Sequence, residues 1–382
     1  MTENVFASSP LPQTWKEGCS MKPIRILMAL AAMLCLAFCA VPALAEAPAG
    51  EEASAAEETA GIDIYYEYDS ELVTALYHLY GGALDDFVNV FLTNNSEESA
   101  TLLVETKIEG YTTTSSSTVT VLPHEEAEVK QNPILLPDVI NTLNAQHPGN
   151  FVIKVTELLA GEDDILLYES QEVTVFSRRD MVWIEGCDTQ EEYEFYAAWV
   201  TPNDPAVEEL LRKAADYTDS SIITNGYGDV LNDGGGTVWD RLQAIWRAEE
   251  EYDLIYVSTP LAFGPGWSQR VRTPYEVLSQ NGGNCIETSC LFASAVEALK
   301  LEAAFVFIPG HVYVGVRLDQ ENADYYFVET TLIGRASFAE AVESGSGSWE
   351  EALPHLNAED GGYAWVNIQE AREKGILPMP WR

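Results

Sequence analysis

Basic side chains are scarce in this sequence. Its 382 residues hold 20 Lys and Arg against 61 Asp and Glu, a formal net charge of −41 at pH 7. A nucleic-acid backbone is bound by clustered cations, so the shortage argues against DNA or RNA as a partner. It argues equally against docking on an anionic membrane face. A soluble, self-repelling surface accounts for the charge, and a cationic substrate is the sharper alternative. Long apolar runs are lacking too. The run over 26–40 is shorter than the ~20 residues that span a bilayer, so no membrane span is expected in the mature chain. No Walker loop and no G-x-G-x-x-G after a strand is present, so no nucleotide cofactor is expected. What the chain does have is ordinary globular content, 47% hydrophobic and 21% charged residues, which rules out disorder throughout.

The segment Met21-Lys22-Pro23-Ile24-Arg25 opens on basic residues. An apolar run and Ala43-Leu44-Ala45 follow. That is the pattern of a secretory signal over 1–45, with Met21 as the start and cleavage after Ala45. A lipid anchor on Cys39 fits less well, because bulky Phe38 precedes it. A secreted or envelope-held protein is expected. Cleavage would leave Cys187, Cys285 and Cys290. A secreted chain stapled by disulfides shows a larger, even number, so an odd one points weakly to a working thiol.

Residues 46–60 are Ala, Glu and small side chains that can bury nothing, and they read as a solvated linker. Over 61–180, short runs rich in β-branched and aromatic residues alternate with turn clusters. These runs fall at 87–92, 102–108, 118–122, 151–155 and 165–176. They predict an all-β sandwich of immunoglobulin-like layout. Two stretches, 71–80 and 136–145, read as helical. From 181 to 382 helices come first and extended runs afterwards, an α+β arrangement. Capping boxes at Thr237/Asp240, Thr273/Glu276 and Asn284/Glu287 mark three helix starts, and Asp204-Pro205 marks another. Runs at 304–308, 312–318 and 325–331 read as strands. Ser344-Gly-Ser-Gly-Ser reads as a flexible surface loop.

The chemistry gathers at Cys285. With Asn284 as N-cap, Cys285 takes the first helical position, where free N–H groups and the dipole favour an anion. A thiol there is expected to ionise more readily than a free one. Gly282 and Gly283 strip side chains from the approach. His311 is the candidate base, because it starts a strand directly after Pro309-Gly310. Of the other histidines, His78, His124 and His147 stand apart and read as surface or cap residues, and His355 lies near a late loop. Glu329 lies on the next strand. A hairpin centred on residue 320 sets it beside His311; one centred a residue or two later makes the pair diagonal. Cys290 reads as core and Glu287 as a capping carboxylate. Cys187 carries no partner motif. A zinc site from Cys285, Cys290 and His311 lacks a second pair of ligands. No metal is required.

Gly283-Asn284-Cys285-Ile286-Glu287, then Pro309-Gly310-His311-Val312-Tyr313-Val314-Gly315-Val316, then Phe327-Val328-Glu329-Thr330-Thr331, resembles the core of the transglutaminase-like superfamily. Arg272-Thr-Pro-Tyr-Glu-Val-Leu resembles that family's lead-in helix. The likeness covers roughly 240–335. It implies a papain-like α+β fold with Cys285 as nucleophile, His311 as base and Glu329 as orienting acid. The family usually has Asp as third member, shorter by one methylene. It also implies an oxyanion donor upstream of the cysteine, for which Gln269 is the candidate and Trp267 and Gln280 are rivals. The implied activity is acyl transfer on a protein or peptide substrate, as a peptidase, amidase or transamidase. A catalytically silent surface protein that works through its β domain is the alternative.

Overall fold

The computed structural model describes residues 61–159, 163–182, 189–219, 221–227, 237–257, 268–321, 324–358 and 361–380. The expected signal segment, the linker, Cys187 and Trp267 lie outside the described residues.

The first part of the chain is strand-rich. Its strands are β1 (Ile62–Tyr68), β2 (Glu71–Val73), β3 (Val88–Asn94), β4 (Ala100–Ile108), β5 (Ser115–Val121), β6 (Glu126–Gln131), β7 (His147–Glu157) and β8 (Asp164–Phe176). One sheet runs β1-β3-β6 and the other β2-β8-β7-β4-β5, with β2 parallel to β8. Their inward residues form one cluster that includes Tyr66, Val90, Leu102, Phe151 and Val175. In β4 buried residues alternate with half-buried ones, the period-2 pattern of a strand with one face on a core.

One expected helix fails here and another is shortened to a single turn. Over 71–80 the chain forms β2 and then a 3-10 turn, Tyr77–Leu79. Its apolar residues have helical spacing but serve two cores. Leu72 belongs to the first cluster, while Val73, Leu76 and Leu79 belong to a second. Over 136–145 one helical turn forms, α1 (Val139–Thr142).

The second part carries α2 (Thr189–Glu194), α3 (Pro205–Ala215), α4 (Val238–Glu250), α5 (Pro274–Gln280) and α6 (Cys285–Ala298). Short strands β9 (Asp180–Val182) and β11 (Ser268–Arg270) pair antiparallel, and β10 (Ile255–Tyr256) pairs in parallel with β12 (Gly282–Gly283). Then come β13 (Ala303–Ile308), β14 (His311–Arg317), β15 (Tyr325–Val328), α7 (Phe338–Asn357), β16 (Ala364–Asn367) and α8 (Ile368–Glu373). The sheet runs β15-β14-β13-β16, all antiparallel. Phe305, Val312, Val314 and Val328 face the second cluster with α6. Val306, Tyr313 and Phe327 face Trp349 and Leu356 of α7. The sheet is thus packed between two helices. Among the described residues no helix is long and apolar enough to cross a membrane.

The expected loop at 344–348 is the middle of α7. A capping box, Ser337 with Glu340, starts this helix. A Cβ on Gly345 would lie 2.4 Å from the Phe327 carbonyl oxygen, so the glycine lets α7 ride directly on β15. Packing overrides the loop-like composition.

Candidate active site

The start of α6 is built from local rules. α5 ends at Asn281 in the left-handed region, φ 53°. A Cβ on Gly282 would meet the Ile255 carbonyl oxygen at 2.8 Å, so β12 can pair with β10 only as glycine. Asn284 then caps α6. Its side chain accepts from Glu287 N at 3.0 Å, and Glu287 Oε2 accepts from Asn284 N at 2.9 Å. Glu287 is therefore a capping carboxylate, as its spacing predicts. Cys285 follows at the first helical position with 4% of its surface exposed. Cys290, one turn on, is fully buried, and burial pushes its thiol well up.

His311 opens β14 after a turn in which Gly310 has φ 77°. Its ring Nε2 lies 2.7 Å from Glu329 Oε2. Cys285 lies close enough to act electrostatically on the same ring. With Nε2 engaged by the carboxylate, Nδ1 is the nitrogen left for the thiol. The hairpin pairs Val314 with Val328 and Gly315 with Phe327. Its centre is therefore residue 321, and Glu329 falls opposite Tyr313 rather than His311. The carboxylate reaches the ring diagonally, and the extra methylene of Glu over Asp serves that reach.

The other carboxylate oxygen of Glu329 is held as well. Oε1 accepts from Thr331 N at 3.1 Å and from Thr331 Oγ1 at 2.6 Å. Burial opposes charge on both partners. Against it, hydrogen bonds from His311 and Thr331 and the nearby imidazolium hold the Glu329 carboxyl below its ordinary range. Burial of His311 is likewise outweighed, by Cys285 and Glu329, and its pKa is raised to about 10. The ring is accordingly held in its charged form. Its side chain is 27% exposed, so the pair is reachable from the imidazole side.

Neighbouring groups fix the frame. Thr330 Oγ1 bonds both Thr288 Oγ1 and Ser289 Oγ at 3.0 Å, which ties the segment after β15 to α6. Tyr313 is buried next to this frame, and its hydroxyl has no hydrogen-bond partner. Arg272 donates to both oxygens of Glu287. The threonines and Arg272 were not singled out from sequence, although Glu-Thr-Thr and an Arg just before a cap are local signals.

The candidate oxyanion residues are spread out. Gln269 is buried on β11, opposite Met181, and its amide donates to the Arg270 carbonyl at 3.0 Å. Gln280 is exposed at the end of α5 and accepts from Arg272. The remaining histidines stand on other elements. His78 bonds the Leu377 carbonyl, His124 lies in a turn, His147 begins β7 and His355 stacks on Tyr363. Among the described residues no group of three His, Cys, Asp or Glu is placed to hold a metal.

No protein-family model matches the sequence. No curated protein matches it. Three solved structures overlap it loosely. A candidate cysteine protease from Cytophaga hutchinsonii is 9% identical, with TM-score 0.23, over 62% of this chain and 72% of its own. A candidate protease from Parabacteroides distasonis is 11% identical, with TM-score 0.21, over 72% and 68%. The exo-chitosanase of Amycolatopsis orientalis is 12% identical, with TM-score 0.21, over 63% and 30%. Overlaps at those scores carry no argument about this chain, and its reading rests on its own residues.

Proposed function

We propose that this chain is a cysteine-dependent acyl-transfer enzyme of peptide or amide bonds. Cys285 is the nucleophile, His311 the base and Glu329 the group that orients the ring. The observation that carries this reading is the 2.7 Å contact of His311 Nε2 with Glu329 Oε2, with Cys285 among the groups that raise the pKa of the same ring. A scaffold has no physical need to line up a thiol, an imidazole and a carboxylate in series.

The steps follow from the order of contacts. At rest the Cys285 proton already sits on His311, and Sγ attacks as a thiolate and bonds the carbonyl carbon. The C–N bond then breaks, and the leaving amine takes the proton from the ring. Water adds to the thioester, giving one proton to His311 and its hydroxyl to the acyl carbon, and Sγ leaves with the proton. An amine in place of water gives transamidation. Hydrolysis is the proposed outcome, because water is always present. Glu329 stabilises the imidazolium formed in each half. The backbone N–H of Cys285 and the Gln269 amide are the proposed oxyanion donors. Support for Gln269 is its place three residues before Arg272, whose backbone N–H bonds the cap of α6 at 2.9 Å.

Residues 181–382 are read as a papain-like, transglutaminase-like α+β domain, on the order helix with Cys285, strand with His311, strand end with Glu329. Residues 61–180 are read as an immunoglobulin-like sandwich. Support is the strand order β1-β3-β6 against β2-β8-β7-β4-β5, whose connections cross repeatedly between the sheets. Export of the mature chain after 1–45 and a spacer over 46–60 belong to the same proposal. One observation favours the silent alternative, the 4% exposure of Cys285.

The test is a peptide library incubated with the mature protein, with and without a primary amine, and read by mass spectrometry. Cleaved or amine-joined peptides that vanish in Cys285→Ala support the proposal. An absence of any Cys285-dependent product or acyl adduct overturns it in favour of the silent scaffold.

A further inference from the structure

Glu287 is occupied beyond the needs of a cap. Its Oε1 accepts from Arg272 N and Nε, both at 2.9 Å. Its Oε2 accepts from Arg272 Nη2 at 2.7 Å and from Asn284 N at 2.9 Å. Four donors thus meet the carboxylate's four acceptor sites. The residue is 2% exposed, and Arg272 Nη1 is braced by Gln280 Oε1 at 3.0 Å. Most capping carboxylates face water. This one is buried two residues from the sulfur, where its charge opposes a thiolate unless a cation neutralises it.

We propose that Arg272 is a positioning residue for Cys285. Its planar fork fixes the Glu287 carboxylate, and that carboxylate fixes Asn284 and the helix tip carrying the sulfur. Its charge also cancels the carboxylate's effect on the thiolate. The inference rests on the reading of Cys285 as nucleophile. Lysine cannot replace this fork, since one ammonium cannot span both oxygens in plane. The other titratable groups near the sulfur are His311 and Glu329 from the sheet, Tyr196 from the 3-10 segment Phe195–Trp199, and Cys290 of α6. Among the groups around the sulfur, Arg272 is the cation that bonds Glu287.

The test is the rate of iodoacetamide labelling at Cys285 across pH 5–9, followed by peptide mass spectrometry, with near-ultraviolet circular dichroism as a check on packing. Arg272→Gln is expected to move the labelling profile up by about one pH unit, about tenfold in rate at pH 6.5. Arg272→Lys is expected to move it less, and it serves if the glutamine variant does not fold. Removing both charges, Arg272→Gln with Glu287→Gln, is expected to bring the profile part of the way back. A merely structural role would lower stability without moving the profile. Arg272 variants with the wild-type profile would overturn this inference alone. A wild-type protein that labels like an ordinary thiol would overturn it together with the nucleophile reading.

Discussion

Glu249 on α4 is fully buried, and neither of its carboxylate oxygens has a hydrogen-bond partner. Burial, with a smaller contribution from Glu250, pushes its carboxyl well above the ordinary range. Folding therefore favours the neutral carboxyl, whereas the unfolded chain at pH 7 ionises it. A raised carboxyl pKa leaves stability intact below the unfolded value and drains it as pH rises. Between the unfolded carboxyl value and the folded one, each pH unit costs about 1.4 kcal/mol. Glu249→Gln keeps the shape and removes the titration. Urea unfolding of both proteins at pH 4.5 and pH 7 measures the difference. The variant is expected to be nearly equal to the wild type at pH 4.5 and to gain on it as pH rises to 7. A gain independent of pH, or a loss at pH 7, would refute the reasoning.

Glu276 is the reverse case. Burial opposes its charge, but Arg179, Thr273 and Arg178 together hold its carboxyl below the ordinary range, through contacts such as Arg179 Nη2 at 2.6 Å. Its stabilisation is present above the unfolded value and lost as pH falls through the folded one. Glu276→Gln should thus cost about 3–5 kcal/mol at neutral pH, the range for breaking a buried pair, and less as pH falls through the folded carboxyl's value, as chemical denaturation would show. Gly345→Ala should lower the melting temperature, because its Cβ must displace the Phe327 backbone; overpacking of this kind costs about 1–3 kcal/mol. An unchanged melting curve would contradict the close seat of α7 on β15. Glu329→Gln should slow labelling of Cys285 at pH 6–7 by roughly 10²-fold or more, since an amide N–H facing Nε2 forces the wrong ring tautomer. Retention of Thr331 contacts should keep the fold, which circular dichroism would verify.

The parts legible in the sequence are those set by short-range rules. The boxes at Thr237, Thr273 and Asn284 all cap helices. Polar side chains and N–H groups three residues apart decide such starts, with no help from the rest of the chain. Five strands over 87–176 were legible from β-branched and aromatic content, but β6, with its charged Glu126, Glu128 and Lys130, was not. The pairing of His311 with Glu329 could be anticipated only within a residue or two, because register depends on the turn, and the centre fell at 321. Residues 71–80 misled because helical spacing there reflects two different cores, not one face. Residues 344–348 misled because a glycine needed for close approach looks like a glycine needed for freedom. The Arg272–Glu287 fork joins residues 15 apart, so local pattern can mark the arginine but not its partner.

The pH dependence of iodoacetamide labelling at Cys285 reaches the central claim most directly, with His311→Ala beside the wild type. A sulfur that hands its proton to the ring should react rapidly already at pH 6, and the alanine variant should lose that early reaction. Labelling that rises only around ~8.5, the ordinary thiol value, and is indifferent to His311 would contradict the account.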